Sequence, residues 1–332
     1  MSGIVGPKQN YLIFLPLKIV TLTLNPALDK STAVDRLVPD NKLRCAELKM
    51  DAGGGGINVS KGIAKLGGNS TAVFPSGGMN GVRLCELLEK AGVQTDTLEI
   101  PSETRENFSV TERISNAQYR FTMPGAPLSI ADADACLEKV AAHKPDILVA
   151  SGSLPPGLPD TYYRKVAGFA KYIGAKLILD TSGPALRAAA HEGLFLLKPN
   201  MKELSALAGV EDLEMNQVDD AALQIIHQGL CEVVCVSLGP QGALLVTKEG
   251  FEHIPAPTVR KHSTVGAGDS MVAGMVWALA EGQDYRDMAR TGVACGSAAT
   301  LNPGTELFSP TDVWRLLEWI KTYGERYRFT DF

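Results

Sequence analysis

Cysteine is sparse in this 332-residue sequence: there are six, at 45, 85, 136, 231, 235 and 295. They form no CxxC pair and no compact framework, so neither a disulfide scaffold nor a structural zinc site is expected. Cys231 and Cys235 lie in or beside the apolar run EVVCVS, where cysteine behaves as a small hydrophobe. The five histidines are scattered and make no HExxH. Basic residues are not in excess, with 32 Lys and Arg against 37 Asp and Glu and a net charge of -5. That balance disfavours non-specific binding to nucleic acid or to a membrane surface, which needs a basic face. It leaves room for a small anionic substrate, because a pocket can be basic on an acidic protein. The apolar run YLIFLPL at 11–17 is far short of the ~20 residues that span a bilayer. It passes into KIVTLTL without a clear cleavage site, so 1–17 is expected as an N-terminal extension rather than a targeting signal. A reducing, cytoplasmic compartment fits these absences.

What is present is a chain of ordinary globular composition, 45% hydrophobic, long enough to bury a large core. Short runs dense in Val, Ile and Leu occur at 18–24, 71–75, 146–151, 176–180, 194–198 and 232–237. They read as strands buried on both faces, as parallel strands are. Helical patterns separate them, at 57–66, 81–91, 131–142, 159–172, 200–208 and 217–228, and Ser309-Pro310 opens a C-terminal helix. The alternation predicts an α/β fold with helices on both faces of a mainly parallel sheet. Residues 31–50 and 105–123 break it. They read as consecutive short strands (STAVDRLV, LRCAELKM, NFSVTERI, QYRFTM), a small β-sheet added at one edge. The expected division is a large domain over 18–30, 51–104 and 124–325, with 31–50 and 105–123 as an inserted lid or oligomer contact.

Four segments carry chemistry. In AGGGGINVSKGIAKLGG, residues 52–68, glycines run into an apolar helix, allowing a ligand close to the backbone and to the free N–H groups at the helix start. It is not a GxxxxGK[ST] loop, and no strong strand precedes it, so a dinucleotide fingerprint is weak. In STVGAGDSMVAGMVWALA, residues 263–280, Gly266-Ala267-Gly268-Asp269 opens a long helix. Backbone donors beside a carboxylate are what phosphoryl transfer needs: a hole for charge and a base for the attacking hydroxyl. Asp269 as a mere complement to the helix dipole stays open. In LLKPNMKEL, residues 196–204, Asn200 and Glu203 share the first turn of a helix. They suit Mg²⁺ held mostly through water and phosphates, or an ordinary capping box. VSLGPQGALLV, residues 236–246, reads as strand, glycine turn and strand, either a plain turn or a backbone cradle for a nucleotide. The lid segments add Asp29, which suits sugar hydroxyls, and Lys42, Arg44 and Arg105, which suit a phosphate.

In order and spacing these motifs resemble the ribokinase-like PfkB family of carbohydrate kinases, over about residues 18–322. The glycine run with Asn58 looks like the family's N-terminal signature, Thr264–Asp269 like its C-terminal one, and NMKE matches its NxxE motif. Ser263-Thr264 stands where many members have Asp-Thr, a variant typical of the sugar-phosphate kinase branch. LTLNPALD, KLRC, GGGGINV, QYRFTMPG, SGSLPPG and VSLGPQGA resemble members of that branch acting on fructose 6-phosphate. Relatives acting on fructose 1-phosphate usually carry a Lys within the glycine run; here it is all Gly.

The resemblance implies a three-layer α/β/α sandwich with a β-sheet lid. It implies ATP-dependent phosphorylation of the C1 hydroxyl of fructose 6-phosphate; tagatose 6-phosphate or fructose 1-phosphate is the alternative. Asp269 would be the general base, and the backbone of Gly266, Ala267 and Gly268 the anion hole. Asp29, Asn58, Gly54, Gly55 and Gly56 would hold the sugar, with Ser153. Arg105 would hold the 6-phosphate, helped by Lys42 and Arg44. Lys42 would serve the partner's site in a homodimer formed through the lids. Asn200, Lys202, Ser237, Gly239 and Gly242 would face the nucleotide, and Glu203 would organise Mg²⁺ largely through water. Some relatives also bind K⁺ through carbonyls, which points to Ser263, Val265, Ala299, Asn302 and Gly304.

Overall fold

The computed structural model describes residues 16–302 and 306–323. Its strands in chain order are β1 (Ile19–Leu22), β2 (Ala27–Val34), β3 (Lys49–Gly53), β4 (Thr71–Ser76), β5 (Gln94–Glu99), β6 (Arg105–Glu112), β7 (Gln118–Thr122), β8 (Ile147–Ser151), β9 (Lys176–Asp180), β10 (Leu194–Leu197), β11 (Cys231–Ser237), β12 (Ala243–Thr247) and β13 (Gly250–Ile254). Nine of them form one sheet in the order β13-β12-β11-β10-β9-β8-β1-β4-β5. From β11 to β5 every pairing is parallel; β12 and β13 add an antiparallel edge.

The apolar runs become the central strands because each has two faces to bury. On one face Leu148, Leu177 and Val234 pack with Tyr163, Leu186 and Ile225. On the other, Val149, Ile178 and Val233 pack with Met271, Val276 and Met288. Helices cover both faces, giving the three layers expected of the sequence. The sequence pattern passes over β5 and the helices Gly183–Ala190 and Tyr285–Ala299. β5 is an edge strand with little buried surface, so it has no need of an apolar run. Tyr285–Ala299 buries mostly Ala, Gly, Thr and Cys, with Met288 and Val293 the larger side chains among them, which blurs its period.

The remaining strands form a second sheet, β3-β2-β6-β7. β2 and β6 run parallel, and β3 and β7 flank them antiparallel. This sheet reaches beyond the 31–50 limits read from the sequence, since β2 starts at Ala27 and β3 ends at Gly53. The strand expected over 43–50 is displaced to 49–53. Its register pairs Ala27 with Gly53 and Ser31 with Lys49, and Leu43–Leu48 are left outside the ladder. A strand therefore does precede the glycine run, contrary to the sequence reading. It pairs antiparallel with β2 in the small mixed sheet, so it builds no βαβ dinucleotide unit. Among the described residues no helix is long and apolar enough to cross a membrane, and all six cysteines are free thiols.

Candidate active site

In parallel sheets, ligands gather beyond the carboxyl ends of the strands. Here the ends of β8 and β9 supply Ser151, Gly152, Asp180 and Thr181 to a cleft of about 340 Å³. The start of helix Ala267–Ala280 supplies Gly266 and Asp269, and β2, β6 and β7 of the second sheet supply Asp29, Arg105 and Arg120.

Asp269 stands in the first turn of its helix, whose N-cap Gly266 has φ 75, a left-handed conformation that a side chain adopts only with strain. Its Oδ2 accepts from Asn58 Nδ2 at 2.8 Å, although the two are 211 positions apart. Burial pushes the Asp269 carboxyl up to about 6, with the neighbouring Asp180 charge adding to the rise; Asn58, Lys198 and Lys61 oppose it. Such a carboxylate is poised as a base near neutral pH. The first N–H groups of the helix have no intrahelical acceptor and face the cleft end of the dipole; that of Ala267 turns back to the Thr264 carbonyl at 3.3 Å.

Asp29 faces Asn107 across the parallel β2–β6 register, and its Oδ1 accepts from Asn107 Nδ2 at 2.8 Å. Burial raises its pKa above the usual carboxylate value, with the Asn107 bond and the Lys61 and Arg105 charges opposing. Gly54, Gly55, Asn58 and Ser153 line the same cleft. At Gly55 a Cβ would sit 2.1 Å from Ser151 Oγ, so only glycine fits there. Ser153 Oγ accepts from Asn25 Nδ2 at 3.0 Å.

The structure qualifies three of these expectations. Gly56 does not line the cleft; it is buried, and a Cβ there would meet Thr23 Oγ1 at 2.6 Å, so it is a packing glycine. Lys42 and Arg44 lie on the exposed loop between β2 and β3 and do not enter this chain's cleft, because the segment holding them leaves the ladder. Arg105 does reach the cleft, but much of its fork is engaged. Nη2 donates to the Asn25 carbonyl and Nη1 to the Met123 carbonyl, each at 3.0 Å, and Nε to Pro26 at 3.4 Å. It clamps three backbone segments as well as facing the cleft.

Asn200 and Glu203 form a reciprocal capping box: Asn200 Oδ1 accepts from Glu203 N at 3.0 Å, and Glu203 Oε2 from Asn200 N at 2.9 Å. The capping-box reading of NMKE is realised, and Glu203 also lines the cleft. Burial raises its pKa, while the Asn200 backbone bond and Lys198 oppose the rise. Asn200 and Lys202 are exposed at the rim, and Asn200 bridges to Ser237 at the end of β11. Ser237 Oγ is turned to the Pro199 carbonyl at 3.3 Å. Gly239 and Gly242 bound the turn after β11 with φ 60 and 99. These residues share the strand-end rim with the cleft, toward the β11–β12 side. Ser263 and Ala299 are buried, and the segments holding them meet where His262 N donates to the Thr300 carbonyl at 2.8 Å. Val265 borders the cleft, and Asn302 Nδ2 donates to the Leu307 carbonyl. Gly304 lies outside the described residues.

Sequence reading missed Asp180, Lys198, Asn107 and Arg120. Lys198 is 7% exposed, with Nζ 3.4 Å from Asp180 Oδ1. Burial lowers its pKa, but Asp180, Glu203 and Asp269 outweigh burial and leave it raised. Its ammonium is also the nearest atom to a Cβ built on Gly268, at 3.6 Å. A fixed cation thus stands beside the expected anion hole. The available signal was a charged residue closing an apolar parallel strand, as in LILD and LLK.

Residues 22–312 match the family described as "pfkB family carbohydrate kinase". The chain belongs to the pfkB family of carbohydrate kinases. This pfkB kinase is 45% identical over 305 residues to ATP-dependent 6-phosphofructokinase isozyme 2 of Escherichia coli, covering 91% of this chain and 99% of that protein. It is 33% identical to 1-phosphofructokinase of Rhodobacter capsulatus, covering 89% and 94%. Among solved structures, phosphofructokinase-2 from Escherichia coli in complex with potassium superposes with a TM-score of 0.88 at 45% identity, covering 92% and 99%. The pfkB kinase therefore has the ribokinase-like α/β fold.

Proposed function

We propose that this kinase transfers the γ-phosphoryl group of ATP to the C1 hydroxyl of fructose 6-phosphate. The observation that carries the reading is Asp269: a desolvated carboxylate fixed by Asn58, at a glycine-capped helix start, with Lys198 beside it. Asp269 takes the C1 proton as the sugar oxygen attacks, and the helix-start N–H groups with Lys198 stabilise the charge on the moving phosphoryl group. Asp29, held by Asn107, accepts from the sugar hydroxyls together with Asn58, Ser153 and the backbone at Gly54 and Gly55. Arg120 and the uncommitted edge of Arg105 face the 6-phosphate. The nucleotide lies toward Asn200, Lys202, Ser237, Gly239 and Gly242.

The donor set fits Mg²⁺. Glu203 presents one carboxylate to the cleft, and among the described residues no cluster of three His, Cys, Asp or Glu makes an all-protein cage. Mg²⁺ binds in that manner, through one carboxylate, water and nucleotide phosphates. When bound it supplies charge neutralisation on the phosphates. The junction of 262–265 with 299–302 supplies backbone carbonyls that suit K⁺, and the superposed relative is a potassium complex.

The second sheet acts as a lid that excludes water from the transfer. It exposes Ile114, Tyr119, Phe121 and Met123. Two copies would cover this apolar surface in a homodimer, which also accounts for Lys42 standing outside its own cleft. A cytoplasmic setting belongs to the same reading.

The test is kcat/KM on fructose 6-phosphate, tagatose 6-phosphate and fructose 1-phosphate. Preference for the first supports the reading; a preference for either other sugar phosphate replaces the substrate and keeps the kinase. Sedimentation showing a fully active monomer at micromolar concentration would remove the dimer.

A further inference from the structure

The helix Gly55–Lys65 brings Asn58 to Asp269. One turn along the same face, at i+3, stands Lys61. Its Nζ donates to the Ala52 carbonyl at 2.7 Å, nine positions back in the chain. Ala52 lies near the end of β3, just before the glycine run, so this bond closes the loop that carries Gly54 and Gly55. The bond to Ala52 places the ammonium beside the β2–β3 rung that pairs Asp51 with Asp29, and Asn58, one turn back on the same helix, holds Asp269; these three carboxylates act on its charge, with Lys65 opposing. Burial pulls the Lys61 pKa below the usual lysine value while the three carboxylates hold it up. On its far side Lys61 borders a second cavity of about 710 Å³, between the second sheet and the main body.

Asp29 and Asp269 line one cleft and both must be ionised when the sugar binds. Each is desolvated and has a like charge beside it, Asp51 for Asp29 and Asp180 for Asp269, so each pKa rises unless a cation is fixed nearby. We propose that Lys61 is a positioning residue for phosphoryl transfer: it ties the glycine loop to β3 through Ala52 and is the shared countercharge of Asp29 and Asp269. This inference rests on the kinase reading above. Lys198 also faces Asp269, but it is paired to Asp180. Arg105 faces Asp29 but spends three of its five donors on carbonyls. Lys61 is the cation common to both carboxylates.

The test uses the full chain and three variants, Lys61→Met, Lys61→Gln and Lys61→Arg. The readouts are the pH profile of kcat/KM at saturating MgATP, calorimetric binding of the sugar phosphate without ATP, and thermal unfolding. Rates are read on whichever of the three sugar phosphates the wild-type enzyme prefers, so a wrong substrate shows in the wild type and this proposal shows in the variant-to-wild-type ratio. Lys61→Met is expected to lower kcat/KM by about tenfold or more. Loss of the cation raises the carboxylate pKa values, so the acid limb moves to higher pH, by about half a unit or more. Lys61→Gln can still donate to Ala52 and should keep the raised limb, whereas Lys61→Arg should restore the wild-type limb. A Lys61→Gln enzyme with the wild-type limb overturns the charge role. So does a folded Lys61→Met enzyme with wild-type kcat/KM. If Lys61→Met fails to fold, the Gln and Arg pair decides alone.

Discussion

Two glycine-led helices meet at the site, and they differ in what surrounds them. The helix Ala267–Ala280 is apolar nearly all round, with ten of its residues buried between the sheet and its neighbours. Its glycine start fixes Asp269 and the phosphoryl-facing N–H groups on an element that has no room to move. The helix Gly55–Lys65 is amphipathic, carries no acid in its first turn and continues directly from β3 of the second sheet. On the proposed reading the first holds the base within the packed core. On the same reading the second holds the sugar and, through β3, ties it to the second sheet. A kinase needs both, because the base must be preorganised while the sugar has to enter and be closed off from water.

The sharpest way to separate the two is to remove the base. Asp269→Asn should lower kcat at least ~10²-fold while calorimetric binding of the sugar phosphate stays near wild type; near-wild-type turnover would remove Asp269 from the mechanism. Next in size is the link between the helices. Asn58→Ala should lower kcat/KM roughly tenfold and move the acid limb upward, because the amide donor now holds the Asp269 pKa down. An unmoved limb would show that the bond only orients. In the unmodified enzyme, kcat/KM should rise through pH about 6 and level off above it, as the raised Asp269 carboxyl gives up its proton. A limb near pH 4 would mean that the site is wetter than the structure shows. On the sugar side, Arg105→Ala should raise KM for the sugar phosphate and also lower Tm, since three carbonyls lose a donor. Arg120→Ala should raise KM without the Tm loss. The smallest change is at Gly266, where Gly266→Ala should cost about 1 kcal/mol in chemical denaturation from its φ of 75. A neutral result would show that the turn can relax.

Much of this was legible beforehand. KIVTLTL, DILVAS and EVVCVS appear as central strands because burial on two faces requires uninterrupted apolar side chains. GAGD and NMKE could be placed at helix starts because capping is a local property of a few residues. The edge strand β5 and the helix Tyr285–Ala299 were not legible, since the first buries little and the second buries mainly small residues around Met288 and Val293, too few large side chains to make a period visible. The Lys198–Asp180 pair was missed because each residue alone reads as an ordinary strand end. Arg105 was read as a phosphate ligand from its type; the carbonyls it clamps come from segments far away in the chain.

The sequence by itself determined the alternation of strand and helix, the two glycine-led helix starts and the carboxylates available for acid–base work. These follow from side-chain volume, backbone freedom and capping, which act over a few residues. Long-range packing brings Asn58 to Asp269 across 211 positions. Only the tertiary structure decided that β2–β6 register sets Asn107 against Asp29 and that Lys42 stays outside its own cleft. Register and loop direction depend on which distant surfaces are buried together, and no local period encodes that choice.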